Sequence, residues 1–412
     1  MISISIKILR YHLSLNFTTY VGEKELFLSR IESNLNWIEK NKCQLNSNKN
    51  KMISQSSSVH FYDCPTNQFA YLVVNRVDPA NLLFSPTVMP PSVYIFTIDK
   101  KTGGICFQGY PNIDIFKSEG EFAISLLDTY PQGYNVEALG DYLIGATISG
   151  NQMIIISITN TEEVARIFNE PIYKITGVNF HSIPLLNNQP ITHSLIMDFD
   201  LCNTHYFCPT LDLSSKFPYP KNVIRNNAFC WNKRFLLPFI ENHCLSSCVV
   251  VLQGAVFSMY NDPTAIENIF YIIKRSANFP GTRYNARGLK TPIDPANECE
   301  AELIFLKDGR YYSQSWRRGS PPVFWQTQLN FIFTNHQVKE NASMDTPTYI
   351  LEEIIKRFEA ENVQIISLLH ENSEQENGIN IAYRDGVNSL ADSFSDICIQ
   401  FHTFDLNSCL KQ

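Results

Sequence analysis

Two strand–turn–strand patterns restrict what this chain can fold into more than any other feature. Ser92-Val-Tyr-Ile-Phe-Thr-Ile98 is β-branched and aromatic, and it passes through Asp99-Lys-Lys-Thr-Gly-Gly104 into Ile105-Cys-Phe-Gln108. Tyr142-Leu-Ile-Gly-Ala-Thr-Ile148 passes through Ser149-Gly-Asn151 into Met153-Ile-Ile-Ile-Ser-Ile158. Such runs, bounded by turn formers, fit strands, and a short glycine-bearing link between two of them closes an antiparallel hairpin. Phe69-Ala-Tyr-Leu-Val-Val74 adds another strand. Between the hairpins, Ser118–Leu127 reads as a helix with Phe122, Ile124 and Leu127 as its apolar positions. Residues 59–185 are therefore expected to form a β-rich module.

The pattern changes near residue 346. Ile350, Leu351, Ile354, Ile355 and Phe358 recur at helical spacing, behind Thr346 as a natural N-cap and Pro347 at the first helical position. Val363-Gln-Ile-Ile-Ser-Leu-Leu369 reads as a buried strand, Glu371–Gly378 as a polar loop, Asp385–Phe394 as a helix and Ile397-Cys-Ile-Gln-Phe401 as a further strand. Strand alternating with helix implies parallel strands. The fold class expected is α/β, α+β overall: a β-rich amino-terminal module, then an α/β module over 186–412. That second module is expected to be incomplete, because a parallel sheet normally needs cover on both faces. Residues 1–58 read as a leader and polar tether, low in complexity over 41–58, and Met52 is an alternative start to Met1.

With 44% hydrophobic and only 18% charged residues the chain can bury a core, which excludes wholesale disorder. Forty acidic against 33 basic side chains give a net charge of −7, which argues against a general nucleic-acid binder. The best apolar stretch, Cys248–Phe257, falls well short of the ~20 residues a bilayer requires. Met1–Arg10 is interrupted by Lys7 and Arg10 and has no small-residue cleavage site, so no secretory signal is expected. The eleven cysteines are too sparse for a disulfide framework and are expected as free thiols in a cytosolic protein. The sequons at Asn16 and Asn341 are then accidental. Cys202-x2-His205-x2-Cys208 with Cys244-x3-Cys248 superficially resembles a metal clip, but its spacing does not supply the four ligands a zinc site needs. Buried or surface-loop cysteines are expected there, a structural histidine at His402, and core anchors at Trp231 and Trp325. No phosphate-binding glycine loop, dinucleotide fingerprint or nucleophilic serine elbow occurs.

Residues 274–318 stand apart. Nine basic side chains (Lys274, Arg275, Arg283, Arg287, Lys290, Lys307, Arg310, Arg317, Arg318) face five acidic ones, a local excess of +4 in an acidic chain. Arginines on a loop of turn formers, Phe279-Pro-Gly-Thr-Arg-Tyr-Asn-Ala-Arg-Gly288, offer planar donor forks that match phosphate. The alternative is a solvated basic surface paired with Glu298, Glu300 and Glu302.

Several segments together resemble SAC phosphoinositide phosphatase domains. They are Leu139–Gly150, Met153–Asn160, Ile172-Tyr-Lys-Ile175, Tyr206-Phe-Cys-Pro-Thr-Leu-Asp-Leu213 and Phe229-Cys-Trp-Asn232, then Gly281-Thr-Arg-Tyr-x-x-Arg-Gly288, Ala296-Asn-Glu-Cys-Glu-Ala-Glu302 and Arg318-Gly-Ser-Pro-Pro-Val-Phe-Trp325. The resemblance covers roughly 61–405, and Phe279–Arg283 leans towards the endosomal branch acting on phosphatidylinositol 3,5-bisphosphate. It implies dephosphorylation of phosphatidylinositol phosphates through a cysteinyl-phosphate without a metal or other cofactor. It also implies a peripheral place on cytosolic faces of endomembranes (endosome or vacuole, ER or Golgi), beside a HEAT-repeat scaffold and a lipid kinase. Arg283, Arg287 and Arg318 are expected to form a basic rim for the headgroup, braced by Asn297 and Glu300.

The chain departs from that family at Trp316, where Gln is usual, at Ala301, where Thr is usual, and in the catalytic loop. The family carries Cys-x5-Arg, and none of the eleven cysteines here has Arg six positions later. A thiolate attacks the phosphorus while the loop amides and arginine hold the equatorial oxygens, so the 412 residues given are expected to be catalytically incomplete. The competing expectation is a non-catalytic module that binds phosphoinositides or a protein partner.

Overall fold

The computed structural model describes residues 2–6, 57–65, 67–76, 92–108, 119–129, 133–186, 200–219, 228–260, 268–282, 286–307, 309–329, 334–338, 346–358, 362–370, 373–391 and 397–405. The chain divides into two compact units, Met1–Ile8 with Ser56–Gln412, and Leu9–Gln55; all described residues lie in the first. Most of the expected leader and tether, both sequons and Arg283 lie outside the described residues.

In chain order the first half holds strands β1 (Ile2–Ile6), β2 (Ser58–Asp63), β3 (Phe69–Arg76), β4 (Ser92–Asp99) and β5 (Ile105–Phe107), and helix α1 (Glu119–Thr129). Strands β6 (Asn135–Gly140), β7 (Tyr142–Ser149), β8 (Gln152–Ile167), β9 (Glu170–Pro184) and β10 (His205–Phe207) follow, then helix α2 (Lys233–Glu241). The rest comprises β11 (Val251–Tyr260), β12 (Asn268–Arg275), β13 (Cys299–Lys307), β14 (Arg310–Gly319), β15 (Trp325–Leu329), β16 (Thr334–Val338), α3 (Thr346–Phe358), β17 (Asn362–Ser367), α4 (Glu374–Ala391) and β18 (Cys398–Thr403). Both expected hairpins form, β4–β5 and β7–β8.

A five-stranded sheet runs β5-β4-β3-β2-β6, and an eleven-stranded sheet runs β18-β17-β1-β14-β13-β12-β11-β10-β9-β8-β7. The boundary expected at 185/186 falls between β9 and β10, which pair within the larger sheet. Among the described strand-to-strand pairings only β17–β18 is parallel, the two strands being joined through α4, and one isolated parallel bridge links Leu143 to Cys248. The smaller sheet is covered on both faces because β3 alternates. Tyr71 and Val73 meet α1, while Leu72 and Val74, with Phe96 of β4, join Leu143, Ile155 and Phe239 of the larger body. Each such side chain, fully buried, contributes roughly 1.5–3 kcal/mol.

Two local expectations are corrected. In α1 the buried pair is Phe122 and Leu126, four apart, whereas Ile124 and Leu127 are 62% and 52% exposed. The turn that docks on Tyr62 and Tyr71 selects the i, i+4 row, and α1 keeps its other apolar residues outside. The helix placed near Asp385–Phe394 begins at Glu374, so most of the loop expected over 371–378 is helical. Ser373 caps it: its Oγ accepts from the Glu376 N–H at 3.4 Å, and its carbonyl accepts from the Asn377 N–H at 2.8 Å. Ile379, Tyr383 and Val387 then form the stripe that packs on Val363 and Ile365 of β17.

Candidate functional site

Pairing in the larger sheet separates the basic residues of 274–318 by face. Lys274, Glu300 and Arg317 are direct partners across β12, β13 and β14, and the next row is Arg275, Cys299 and Arg318. Opposed residues share a face and successive residues alternate, so the two rows point to opposite sides.

The first row is buried. Lys274 Nζ lies 2.7 Å from Glu302 and 3.2 Å from Glu300, and donates to the Ser215 carbonyl. Tyr219 Oη donates to Glu302 at 2.5 Å, and the Phe217 N–H donates to the same carboxylate at 3.0 Å. Arg317 pairs with Glu298 at 2.9 Å and with Glu353 of α3, and lies 3.9 Å from Glu300. Burial works against the Arg317 charge, but Glu298, Glu353 and Glu300 outweigh it and hold the guanidinium above its ordinary value. The solvated basic surface weighed from the sequence is thus not what these carboxylates make: they serve two buried cations under the sheet. Glu300, expected as a brace of the rim, belongs to this buried row, across the sheet from Arg318.

Cys299 and Arg318 of the second row open on a cleft of about 710 Å³, lined also by Arg287, Asn297, Trp325 and Glu376 among others. Arg287 and Arg318, thirty-one positions apart, are thereby brought together. Arg287 rides over the Trp325 ring, 5.4 Å from its centroid, so the tryptophan expected as a core anchor is buried and also supports a cleft side chain. Arg318 is exposed. Burial pushes the Cys299 thiol up, against the pull of Arg318 and Arg275, so the thiol in the cleft is protonated at neutral pH.

Asn297 braces the loop before the cleft. It adopts a left-handed φ of 52°, and its Oδ1 accepts from Arg275 Nη2 at 2.8 Å and from the Gly281 N–H at 3.1 Å. Its own N–H donates to the Phe279 carbonyl at 3.0 Å. Gly288 fixes the other end at φ +61°, where an added Cβ would stand 2.6 Å from the Trp325 carbonyl oxygen.

The opposite wall comes from the carboxyl end of β17 and the first turns of α4, where ligands gather in parallel α/β units. The His370 N–H donates to Glu376 Oε2 at 2.7 Å, and His370 Nδ1 lies 2.7 Å from Asp405 Oδ2, just past β18. Glu376 was missed from the sequence, although Ser373-x-x-Glu376 is the spacing of a helix capping box. His402 is exposed on the edge strand β18.

At β10, further along the same sheet, burial pushes the Cys208 thiol up and lowers His205 to about 4, and His205 Nδ1 donates to the Leu201 carbonyl at 3.1 Å. Among the described residues no three His, Cys, Asp or Glu side chains are disposed to hold a metal, and no helix is long and apolar enough to cross a membrane.

Comparison with known proteins supplies the family. The SacI homology domain profile matches residues 142–411. A polyphosphoinositide phosphatase of Schizosaccharomyces pombe is 30% identical over 166 residues, 34% of this chain and 19% of that protein. Synaptojanin of Caenorhabditis elegans is 26% identical over 208 residues, 47% and 18% of the two chains. Phosphoinositide phosphatase SAC8 of Arabidopsis thaliana is 24% identical over 238 residues, 51% and 39%. The chain therefore matches well under half the length of each of these relatives. The matched region takes in the larger sheet from β7 onward and every described residue of the cleft, and the chain belongs to the SacI homology domain family.

Proposed function

We propose that the cleft binds the phosphorylated headgroup of an inositol lipid. The observation that carries this reading is the convergence of Arg287 and Arg318 on one cavity, beside a loop tied down by Asn297. Guanidinium forks suit phosphate oxygens, and the volume is of the size that small-molecule sites take. The names of the relatives, phosphoinositide phosphatases, point to the same ligand. Arg283 joins the rim in this reading. A lean towards phosphatidylinositol 3,5-bisphosphate, an endomembrane location and a scaffold-and-kinase partnership rest on the sequence resemblance.

Two activities are compatible with headgroup binding. The family reading is hydrolysis through a cysteinyl-phosphate. The second reading is recognition without turnover, and what favours it is that no cysteine of this sequence is followed by Arg six positions later.

Flotation with vesicles of phosphatidylcholine, with and without a phosphoinositide, tests binding. Arg287→Ala and Arg318→Ala should each weaken it about tenfold, the loss expected of one charge-assisted contact. Unchanged binding in both variants would remove the cleft assignment. Phosphate release from the same vesicles separates hydrolysis from recognition.

A further inference from the structure

We propose that Glu376 sets which phosphoinositide isomer the cleft accepts, an inference that rests on the headgroup reading above. A cleft built only to attract phosphate would have no use for a carboxylate, yet Glu376 lines it together with Arg287 and Arg318. The carboxylate is also held in place. Oε2 accepts the His370 N–H at 2.7 Å, His370 is tied through Nδ1 to Asp405, and Ser373 caps the turn that carries Glu376. Among the described residues its other oxygen, Oε1, has no hydrogen-bond partner. A negative side chain is favourable in the first turn of a helix, where Glu376 sits.

An ionised carboxylate accepts hydrogen bonds and donates none. On an inositol ring it therefore welcomes a hydroxyl, which donates, and rejects a phosphate ester at the same ring position, which brings like charge. The arginines reward phosphate wherever they reach it; Glu376 penalises phosphate at the position it faces. Specificity then comes from a repulsive element as much as from the attractive ones.

The test uses the whole chain and vesicles carrying, separately, the 3-, 4- and 5-monophosphates of phosphatidylinositol. These have equal charge, so a change in overall electrostatics moves all three together. The unsubstituted protein should disfavour at least one isomer by about tenfold, the scale set for a single repulsive contact at a half-buried side chain. Glu376→Gln keeps an acceptor for the His370 N–H and supplies an amide donor. It should tighten the disfavoured isomer towards the others and compress the spread to about threefold or less. Glu374→Gln, exposed on the same turn, should leave the spread as it was. Equal binding of all three isomers by the unsubstituted protein, or a spread unchanged by Glu376→Gln, would overturn the inference while leaving headgroup binding in place. Failure of the unsubstituted protein to bind any of the three would overturn the headgroup reading and this inference with it.

Discussion

Arg317 and Arg318 are neighbours in the chain and face opposite sides of β14, one buried among carboxylates and the other exposed at the cleft. Removing each should therefore have a different consequence. Arg317→Met removes the buried guanidinium that Glu298, Glu353 and Glu300 share, and should cost about 3–5 kcal/mol in denaturant unfolding. Arg318→Ala should stay within about 0.5 kcal/mol of the parent, because its loss leaves no buried charge unpaired. Similar losses in the two variants would contradict the facial separation.

His205 makes stability depend on pH. Its imidazole is buried edge-on against Trp231 at 4.7 Å and lowered by burial to about 4, against an ordinary 6.5. Between those values the unfolded chain holds the proton and the folded chain does not. Stability from this group is therefore complete above about 6.5 and is lost as pH falls towards 4, by about 3 kcal/mol in all. Unfolding free energies measured at intervals across that window should show the slope. His205→Asn, whose amide can still donate to Leu201, should flatten it.

Cys299 reports on the cleft without a ligand assay. With its thiol pushed up by burial, alkylation at neutral pH should be slow and should accelerate with rising pH, as read by peptide mass spectrometry. Arg318 favours the thiolate, so Arg318→Ala should slow the reaction further. A soluble inositol phosphate bound in the cleft should protect the residue.

Gly288 and Asn297 hold the loop that delivers Arg287. Gly288→Ala sets a methyl group against the backbone of Val323 and Trp325 at a left-handed φ, and should cost about 2–4 kcal/mol. Asn297→Gly tolerates the φ of 52° but loses the contacts to Arg275 and Gly281. It should leave global stability within about 1 kcal/mol while raising amide exchange over residues 279–282. Protection unchanged there would mean that Asn297 does not brace the loop.

Much of the architecture is legible in the residues themselves. Strand-length β-branched runs with glycine turns specify the hairpins β4–β5 and β7–β8, and the 3.6-residue recurrence of Ile350, Leu351, Ile354 and Ile355 specifies α3, because both patterns follow from local backbone geometry. The basic segment and its loop arginines are legible as composition. Where local pattern is ambiguous the outcome depended on the neighbour. In α1 three apolar positions are visible, but the docking surface buries Phe122 with Leu126, and the start of α4 hangs on a serine cap inside a polar stretch.

What the sequence by itself determined is therefore the menu of elements, the excess of arginine and the absence of a Cys-x5-Arg run. Only the tertiary structure decided which charges serve which purpose. Strand alternation sends Arg317 and Glu300 beneath the sheet and Arg318 above it, and pairing registers, which no single strand encodes, align Lys274 and Arg317 with their carboxylates. The end of β17 and the capped turn of α4 then set Glu376 on the wall of the same cleft that Arg287 and Arg318 line, a juxtaposition of residues far apart in the chain that packing alone creates.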